Sequence, residues 1–499
     1  MRHMAIEVIA LSKYIMLMGT ASHVGKSILT TALCRIFFRA GLRVAPFKAQ
    51  NMALNSFVTS DGGEMGRAQV AQAEAAMLEP SVDMNPVLLK PTGNSTSQVI
   101  IDGRAVGVMS AAEYHRGYAL KAFDSVKAAL DRLEREFDLL VIEGAGSPAE
   151  INLKDHDIVN MRVAKYLNAP VLLIADIDRG GSLAALVGTL ELLDDDERAL
   201  VKGLVINKFR GDVSLFTPAI DFLERKTHKP VLGVLPYIER LEIDDEDSVS
   251  LDEKNSERGG EIKIAVVRLS KISNFTDFDS LDGEPDVDLN YATTPSNLDD
   301  ADLIILPGSK NTSDDLLKLR AEGFDQEIRR RLNEGAALIG ICGGYQMLGE
   351  KIFDPHHAES DVGEIDGLGL LPISTTFAIE KLTRQITLDR VQFEFLGSSI
   401  DARELAGYEI HAGETRPTSA SLYSANGNVF GTYVHGIFDN DDFRRQIINA
   451  IRLRKGLAPI ESTRNRRAEK QAAYDRLARI VRDNLDIERI KKIADISVG

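Results

Sequence analysis

The 499-residue chain has no tryptophan, only two cysteines and no apolar run long enough to span a bilayer. The missing tryptophan carries no functional meaning. Cys34 and Cys342 lie far apart, in different predicted domains, so no disulfide framework is implied; that scarcity fits a reducing cytoplasm. Membrane insertion would need about 20 consecutive apolar residues, and none is expected. Nor is a secretory leader expected, because the first apolar run, 14–18, leads into a phosphate-type loop and not into a cleavage site. Basic residues are outnumbered, 59 against 75 acidic, for a net charge of −16. That balance argues against nucleic acid as a partner while leaving room for a local basic pocket. What is present, 44% hydrophobic residues with mixed charge, belongs to a globular protein of two or three domains.

From residue 14 to about 240, short apolar runs alternate with helical patterns. Strands are expected at 14–18, 43–47, 139–143, 171–175, 203–207 and 231–235, a rhythm that predicts a parallel sheet with helices on both faces. An acidic, polar stretch, 244–261, reads as a linker. Strand-like runs resume at 263–268, 303–306 and 336–341, giving a second α/β domain over 262–445. The remainder, 446–499, reads as a helical appendage packed on that second domain. The first domain then spans 1–243.

Gly19-Thr20-Ala21-Ser22-His23-Val24-Gly25-Lys26-Ser27 follows the first strand and precedes a helical pattern. A P-loop needs this context, because its backbone N–H groups and helix N-terminus cradle phosphates. Lys26 would reach the β- and γ-phosphates of ATP and Ser27 would bind Mg²⁺. The spacing departs from the standard motif, with five residues and not four between Gly19 and Gly25; such a loop resembles that of dethiobiotin synthetase and its relatives. Glu143 ends an apolar strand and is placed for Mg²⁺, directly or through water. Asp61, in Asp61-Gly62-Gly63, is a further metal candidate, set against the ordinary solvated role of a turn aspartate. Asp176 and Asp178 also end a strand and could contact Mg²⁺, order a loop or bind substrate. Asn207 follows another strand and suggests nucleobase recognition, since an amide can pair with adenine's edge.

Gly340-Ile341-Cys342-Gly343-Gly344 has the shape of a nucleophile elbow. An apolar run enters it, glycines allow a tight turn, and a helical pattern leaves it. A thiol near a helix N-terminus is favoured as thiolate. A buried structural cysteine is the bland alternative, and the flanking glycines weigh against it. His435, in Val434-His435-Gly436, is the candidate base. Together the pair predicts acyl transfer through a thioester.

Several stretches jointly resemble the glutamine-hydrolysing cobyric acid synthase family. They are Pro46-Phe47-Lys48-Ala49-Gln50-Asn51-Met52-Ala53-Leu54-Asn55-Ser56, Asn85-Pro86-Val87-Leu88-Leu89-Lys90-Pro91, and Glu143-Gly144-Ala145-Gly146-Ser147-Pro148-Ala149-Glu150-Ile151-Asn152-Leu153. The match continues through 175–181, Pro307-Gly308-Ser309-Lys310-Asn311-Thr312, the cysteine elbow and Tyr408-Glu409-Ile410-His411. The resemblance implies a P-loop synthetase domain followed by a class I glutamine amidotransferase-like domain. It also implies ATP- and Mg²⁺-dependent amidation of four carboxylates of adenosylcobyrinic acid a,c-diamide, with glutamine as nitrogen donor. The partners are then small molecules; homo-oligomerisation is left open. Lys48 resembles the lysine that faces the reacting carboxylate and γ-phosphate in the dethiobiotin synthetase relatives. Lys90 and Arg104 are candidates for gripping the anionic corrin.

On the same resemblance Cys342 attacks the glutamine amide, His435 shuttles protons, and the N–H of Gly343, with one from the Gly308-Ser309 loop, holds the oxyanion. The commonest amidotransferase pattern carries a glutamate two residues after the histidine, whereas position 437 is isoleucine, a loss the family shares. A Cys-His-Glu triad is therefore not expected. Glu409 and His411 are candidates for orienting His435, with a surface role for Glu409 placed ahead. The sister family that amidates the a and c positions is the nearest competitor. A P-loop switch ATPase with an inactive amidotransferase module is weakened by the intact Cys342 and His435. A dethiobiotin-synthetase-like carboxylating enzyme leaves the elbow without work.

Overall fold

Uninterrupted apolar runs form strands buried on both faces, which is what a parallel sheet covered by helices requires. In the first half these strands are Lys13–Gly19 (β1), Val44–Phe47 (β2), Leu139–Glu143 (β3), Val171–Asp176 (β4), Val201–Phe209 (β5) and Val231–Pro236 (β6). All pair in parallel in the order β6-β5-β4-β1-β3-β2. The chain winds one way from β1 to β2 and the other way from β3 to β4, so a crevice opens at the carboxyl ends of β1 and β3. The structure, a computed structural model, describes residues 12–93, 95–238, 243, 259–417, 423–461 and 464–497. Most of the expected linker, 244–258, lies outside the described residues.

The second sheet comprises Ile262–Val267 (β7), Val287–Ala292 (β8), Leu303–Leu306 (β9), Ala337–Ile341 (β10), Tyr423–Asn426 (β11) and Val429–Thr432 (β12). Its order is β8-β7-β9-β10-β12-β11, parallel except for the β11–β12 hairpin. Two antiparallel features were not anticipated from the sequence. One is a meander, Val87–Gly93, Thr96–Ile101 and Arg104–Ser110, extended by Gln50–Met52. The other is a long hairpin, Ser374–Phe395 with Ser398–Arg416, which reaches from the second half toward the first. Among the described residues no helix is long and apolar enough to cross a membrane.

The C-terminal segment departs from expectation. Helix Asp441–Arg454 runs through the boundary expected at 445 and contributes Phe443, Ile447 and Ile451 to the second core. Helix Arg466–Asn484 instead packs on the first half. Its Tyr474, Leu477 and Val481 share a core with Leu29, Leu33 and Phe37 of helix Lys26–Arg39. Leu485 then bridges Gly233 at β6. An apolar stripe at helical spacing tells which face is buried but not against what; here buried Arg35 selects the partner through Asp475 (2.7 Å) and Gln471 (2.8 Å).

Candidate active sites

The first site sits where β1 and β3 end. Gly25 precedes the helix with φ 98°, and a Cβ there would stand 2.1 Å from the Asn207 amide nitrogen, so only glycine fits. The Lys26 ammonium curls back onto the carbonyls of Ala21 (2.9 Å) and Gly146 (3.1 Å), bridging the loop to the residues after β3. Glu143 is fully buried at the end of β3, and three groups converge on its carboxylate. The Ser27 hydroxyl (2.8 Å) and Lys48 ammonium (2.8 Å) donate to Oε1, and the Gln72 amide (2.6 Å) donates to Oε2. A buried carboxylate is tolerable only with such partners. Lys26, Ser27, Lys48, Gln50 and Glu143 line one cavity of about 600 Å³, whose rim also carries Arg179.

Gly19, Thr20, Gly25, Lys26, Ser27, Lys48 and Glu143 therefore come together at one crevice. Other expectations come out differently. Asp61 does not join Ser27 and Glu143: it sits in the turn between Ser56–Val58 and Glu64–Gly66, accepting the Thr59 hydroxyl, and the cavity is lined without it. Asn207 donates its amide to the Val24 carbonyl (2.8 Å), bracing the phosphate loop. Asp176 and Asp178 pair with Lys208 (2.9 Å) and Arg210 (2.7 Å). Lys90 is not among the residues lining that cavity; it is buried against Glu64 (2.8 Å), which also takes Lys381 (2.7 Å) from the long hairpin. Burial, outweighing Glu64, pulls the Lys90 ammonium down to about 8. Arg104 is exposed on the meander, close enough to Asp61 to act on its charge. Gln72 was missed because a glutamine in mid-helix carries no local signal.

The second site is built around the turn after β10. Cys342 takes φ 52° and ψ −106°, a strained conformation for a residue with a Cβ. The helix that follows, Gly343–Leu348, lies so close to β9 that a Cβ on Gly344 would stand 2.0 Å from the Leu306 carbonyl. Gly343 abuts Ser309, whose amide would be 2.8 Å from a Cβ placed there, so the Gly308-Ser309 loop and the elbow share one pocket wall. Gly308 in turn sits 3.2 Å, measured from such a Cβ, from His435 Cε1. The Cys342 sulfur is almost wholly buried, 3.6 Å from the Ile410 carbonyl.

His435 is oriented by a residue the sequence did not offer. Its Nδ1 lies 2.7 Å from Asp277 Oδ2, and Asp277 Oδ1 accepts the Gly436 N–H (2.9 Å). Nδ1 therefore carries a proton, donated to the carboxylate. Nε2 is buried with no conventional hydrogen-bond partner among the described residues, and the Cys342 sulfur lies beside the ring. Burial alone would lower the imidazole, but the Asp277 carboxylate and the neighbouring thiol outweigh it and raise it to about 10. Glu409 and His411 do not perform this role. Glu409 is buried and not at the surface, and its carboxylate is held by Arg384. His411 stacks on Tyr433 (3.7 Å) and bonds the Gly413 carbonyl (2.8 Å). The residue that touches His435 from this strand is Tyr408, whose ring stacks on the imidazole at 5.2 Å while the two backbones exchange hydrogen bonds. Asp277 belongs to an Asn-Phe-Thr-Asp turn far from the histidine in sequence, so no spacing rule points to it.

Chemically, the first site offers cations, loop amides and a carboxylate around one crevice. The second offers a thiol beside an imidazole, with the Gly308-Ser309 loop against the elbow. Residues 15–251 match the CobQ/CobB/MinD/ParA nucleotide binding domain family, and residues 263–443 match the CobB/CobQ-like glutamine amidotransferase domain family. A cobyric acid synthase of Moorella thermoacetica is 51% identical, the alignment covering 97% of both chains. One of Carboxydothermus hydrogenoformans is 52% identical, covering 97% of this chain and all of the relative. One of Pelotomaculum thermopropionicum is 52% identical, covering 96% of each.

Proposed function

Since the chain belongs to the cobyric acid synthase family, an ATP-using ligase family of cobalamin biosynthesis with glutamine-dependent amidation, we propose a specific course for the reaction. The substrate is adenosylcobyrinic acid a,c-diamide, and its b, d, e and g carboxylates become amides, giving adenosylcobyric acid. A carboxylate is a poor electrophile. Its oxygen attacks the γ-phosphorus of ATP, ADP leaves, and an acyl phosphate forms. Ammonia attacks the acyl carbon, phosphate departs, and the amide remains after loss of a proton.

Lys26 and Lys48 bring positive charge to the crevice where phosphoryl charge develops. Ser27 and Glu143 supply hard oxygen donors of the kind Mg²⁺ takes beside nucleotide phosphates. Among the described residues no group of three or more His, Cys, Asp or Glu side chains could hold a metal. Bound there, Mg²⁺ would neutralise phosphate charge.

At the second site the Cys342 thiolate attacks the δ-carbon of glutamine, and the backbone amides of Gly343 and the Gly308-Ser309 loop hold the oxyanion. His435 passes its Nε2 proton to the departing ammonia. It then takes a proton from the water that hydrolyses the thioester to glutamate. The observation that carries this half is the Asp277–His435 pair beside the strained Cys342. Mass spectrometry of the corrin product, with ATP and glutamine supplied, tests the substrate assignment. Conversion of the a,c-diamide by four successive amide increments is expected. No conversion of the a,c-diamide, with amidation of the corrin lacking both amides, would assign the chain to the earlier step.

A further inference from the structure

The two sites are joined by a short, hydrogen-bonded path. From the nucleotide cavity the chain runs through Gln50, Asn51 and Met52, which line it, to Asn55 and Ser56, both with no exposed surface. The Ser56 amide donates to Asn274 Oδ1 (2.9 Å), and Thr276 donates to Asn55 Oδ1 (3.3 Å). Asn274 and Thr276 belong to the same turn as Asp277, the residue that holds His435. From the other side of the imidazole, Tyr408 stacks on the ring and donates its hydroxyl to the Ser56 carbonyl (3.1 Å). Ser56 thus holds, with its N–H, the turn that carries Asp277 and, with its C=O, the Tyr408 hydroxyl.

The hairpin that carries Ser56 is tied to the phosphate site at its far end as well. Its second strand, Glu64–Gly66, continues directly into helix Arg67–Ala75, whose Gln72 bonds Glu143 (2.6 Å). Arg67 N–H returns to the Asn55 carbonyl (3.2 Å), and the Asn51 amide bonds Gln69 (3.0 Å), tying the helix to the segment that leads into the hairpin. A junction of buried, hydrogen-bonded polar groups fixes orientation more tightly than an apolar contact, because each group displaced loses its partner.

We propose that Asn55 and Ser56, through Asn274 and Tyr408, form a positioning latch by which the nucleotide half sets the Asp277–His435 pair for glutamine hydrolysis. Asn274 and Tyr408 are then positioning residues of the glutaminase, although neither contacts glutamine. The inference rests on the reading of Cys342 and His435 as the glutaminase pair.

The test uses the full-length enzyme and measures glutamate release with and without a non-hydrolysable ATP analogue, alongside ammonium-driven amidation. Asn274→Ala is expected to lower glutaminase kcat about tenfold or more, with KM for glutamine within about twofold, because misaligned reacting groups cost rate rather than binding. Ammonium-driven amidation stays at the wild-type rate. The analogue alters glutaminase kcat in the wild type and no longer does so in Asn274→Ala. Asn274→Asp, which keeps the acceptor for the Ser56 amide, restores most of the rate. Tyr408→Phe removes only the hydroxyl and serves where Asn274→Ala fails to fold; it shifts kcat in the same direction. The latch is overturned if folded variants keep wild-type glutaminase kcat, or if the analogue leaves the wild-type rate unchanged. Cys342→Ala separates the two layers: glutaminase surviving that substitution refutes the underlying pair, whereas its loss beside normal Asn274→Ala and Tyr408→Phe refutes the latch alone.

Discussion

The phosphate site and the cysteine site are assembled in opposite ways. The first draws most of its groups from one continuous loop, 19–27, and the end of β3, with Lys26 bonded to backbone carbonyls and Lys48 paired with Glu143. The second gathers Asp277, Gly308, Cys342 and His435 from four separate segments, around a strained backbone and an imidazole nitrogen with no conventional partner among the described residues. Binding a polyanion needs many donors pointing the same way, which a single loop running into a helix supplies. A covalent intermediate needs attack, proton transfer and charge stabilisation from different directions, which no single segment can provide. The first chemistry can thus be written locally and the second only through topology.

The largest expected effects break that comparison at its two centres. Cys342→Ala should abolish glutamine-driven amidation, by about 10⁴-fold or more, while ammonium-driven amidation persists. Lys26→Ala should remove both, by about 10³-fold or more, since it takes a cation from the transferring phosphoryl group. Rates with each nitrogen donor, measured side by side, check the division. Loss of ammonium-driven activity in folded Cys342→Ala would show that the sites are not separable.

Asp277→Asn sharpens the cysteine side. An amide keeps the shape but not the charge, so glutaminase kcat should fall by about 10²- to 10⁴-fold. The pH profile carries the sign. In the wild type the imidazolium is favoured by Asp277 and the neighbouring thiol and releases its proton only as pH rises toward about 10. Without the carboxylate the proton leaves at lower pH, so the alkaline limb of kcat/KM for glutamine should move downward. An unmoved limb would mean that Asp277 orients the ring without stabilising its charge. The synthetase rate with ammonium should not change.

The same contrast explains what was legible in the sequence. Gly19, Gly25, Lys26 and Ser27 were readable because loop chemistry follows residue order, and Glu143 because a strand end beside such a loop is a recognisable position. Cys342 was readable from its flanking glycines. Asp277 was not, because its meeting with His435 depends on which strands neighbour β7 and β10, and periodicity does not give strand order. Asp61 and Lys90 looked like site residues by type, yet Asp61 lies in the turn of the hairpin at the junction of the two halves, and Lys90, from the meander, is buried against Glu64 of that hairpin. The packing of helix Arg466–Asn484 was illegible for a related reason: its stripe specifies burial, while the partner is chosen by Arg35.

That helix supplies the smallest effect, and a clean one. Tyr474 is buried in the core of the nucleotide half, and its hydroxyl donates to Glu74 Oε2 (2.7 Å), a carboxylate also paired with Lys470 (2.6 Å). Tyr474→Phe removes one hydrogen bond to a charged acceptor and little else, leaving the ring in place. Such a bond contributes about 1.5–3 kcal/mol, toward the lower end here because the lysine still satisfies the carboxylate. Thermal unfolding should shift down by about a few degrees, while both nitrogen-donor activities at low temperature stay at wild-type rates. If the helix were packed on the amidotransferase half instead, a nucleotide that binds the first half would protect the variant no better than it protects β8. Hydrogen exchange distinguishes the two: bound ATP should slow exchange in Arg466–Asn484 together with Lys26–Arg39, because the two helices share one core.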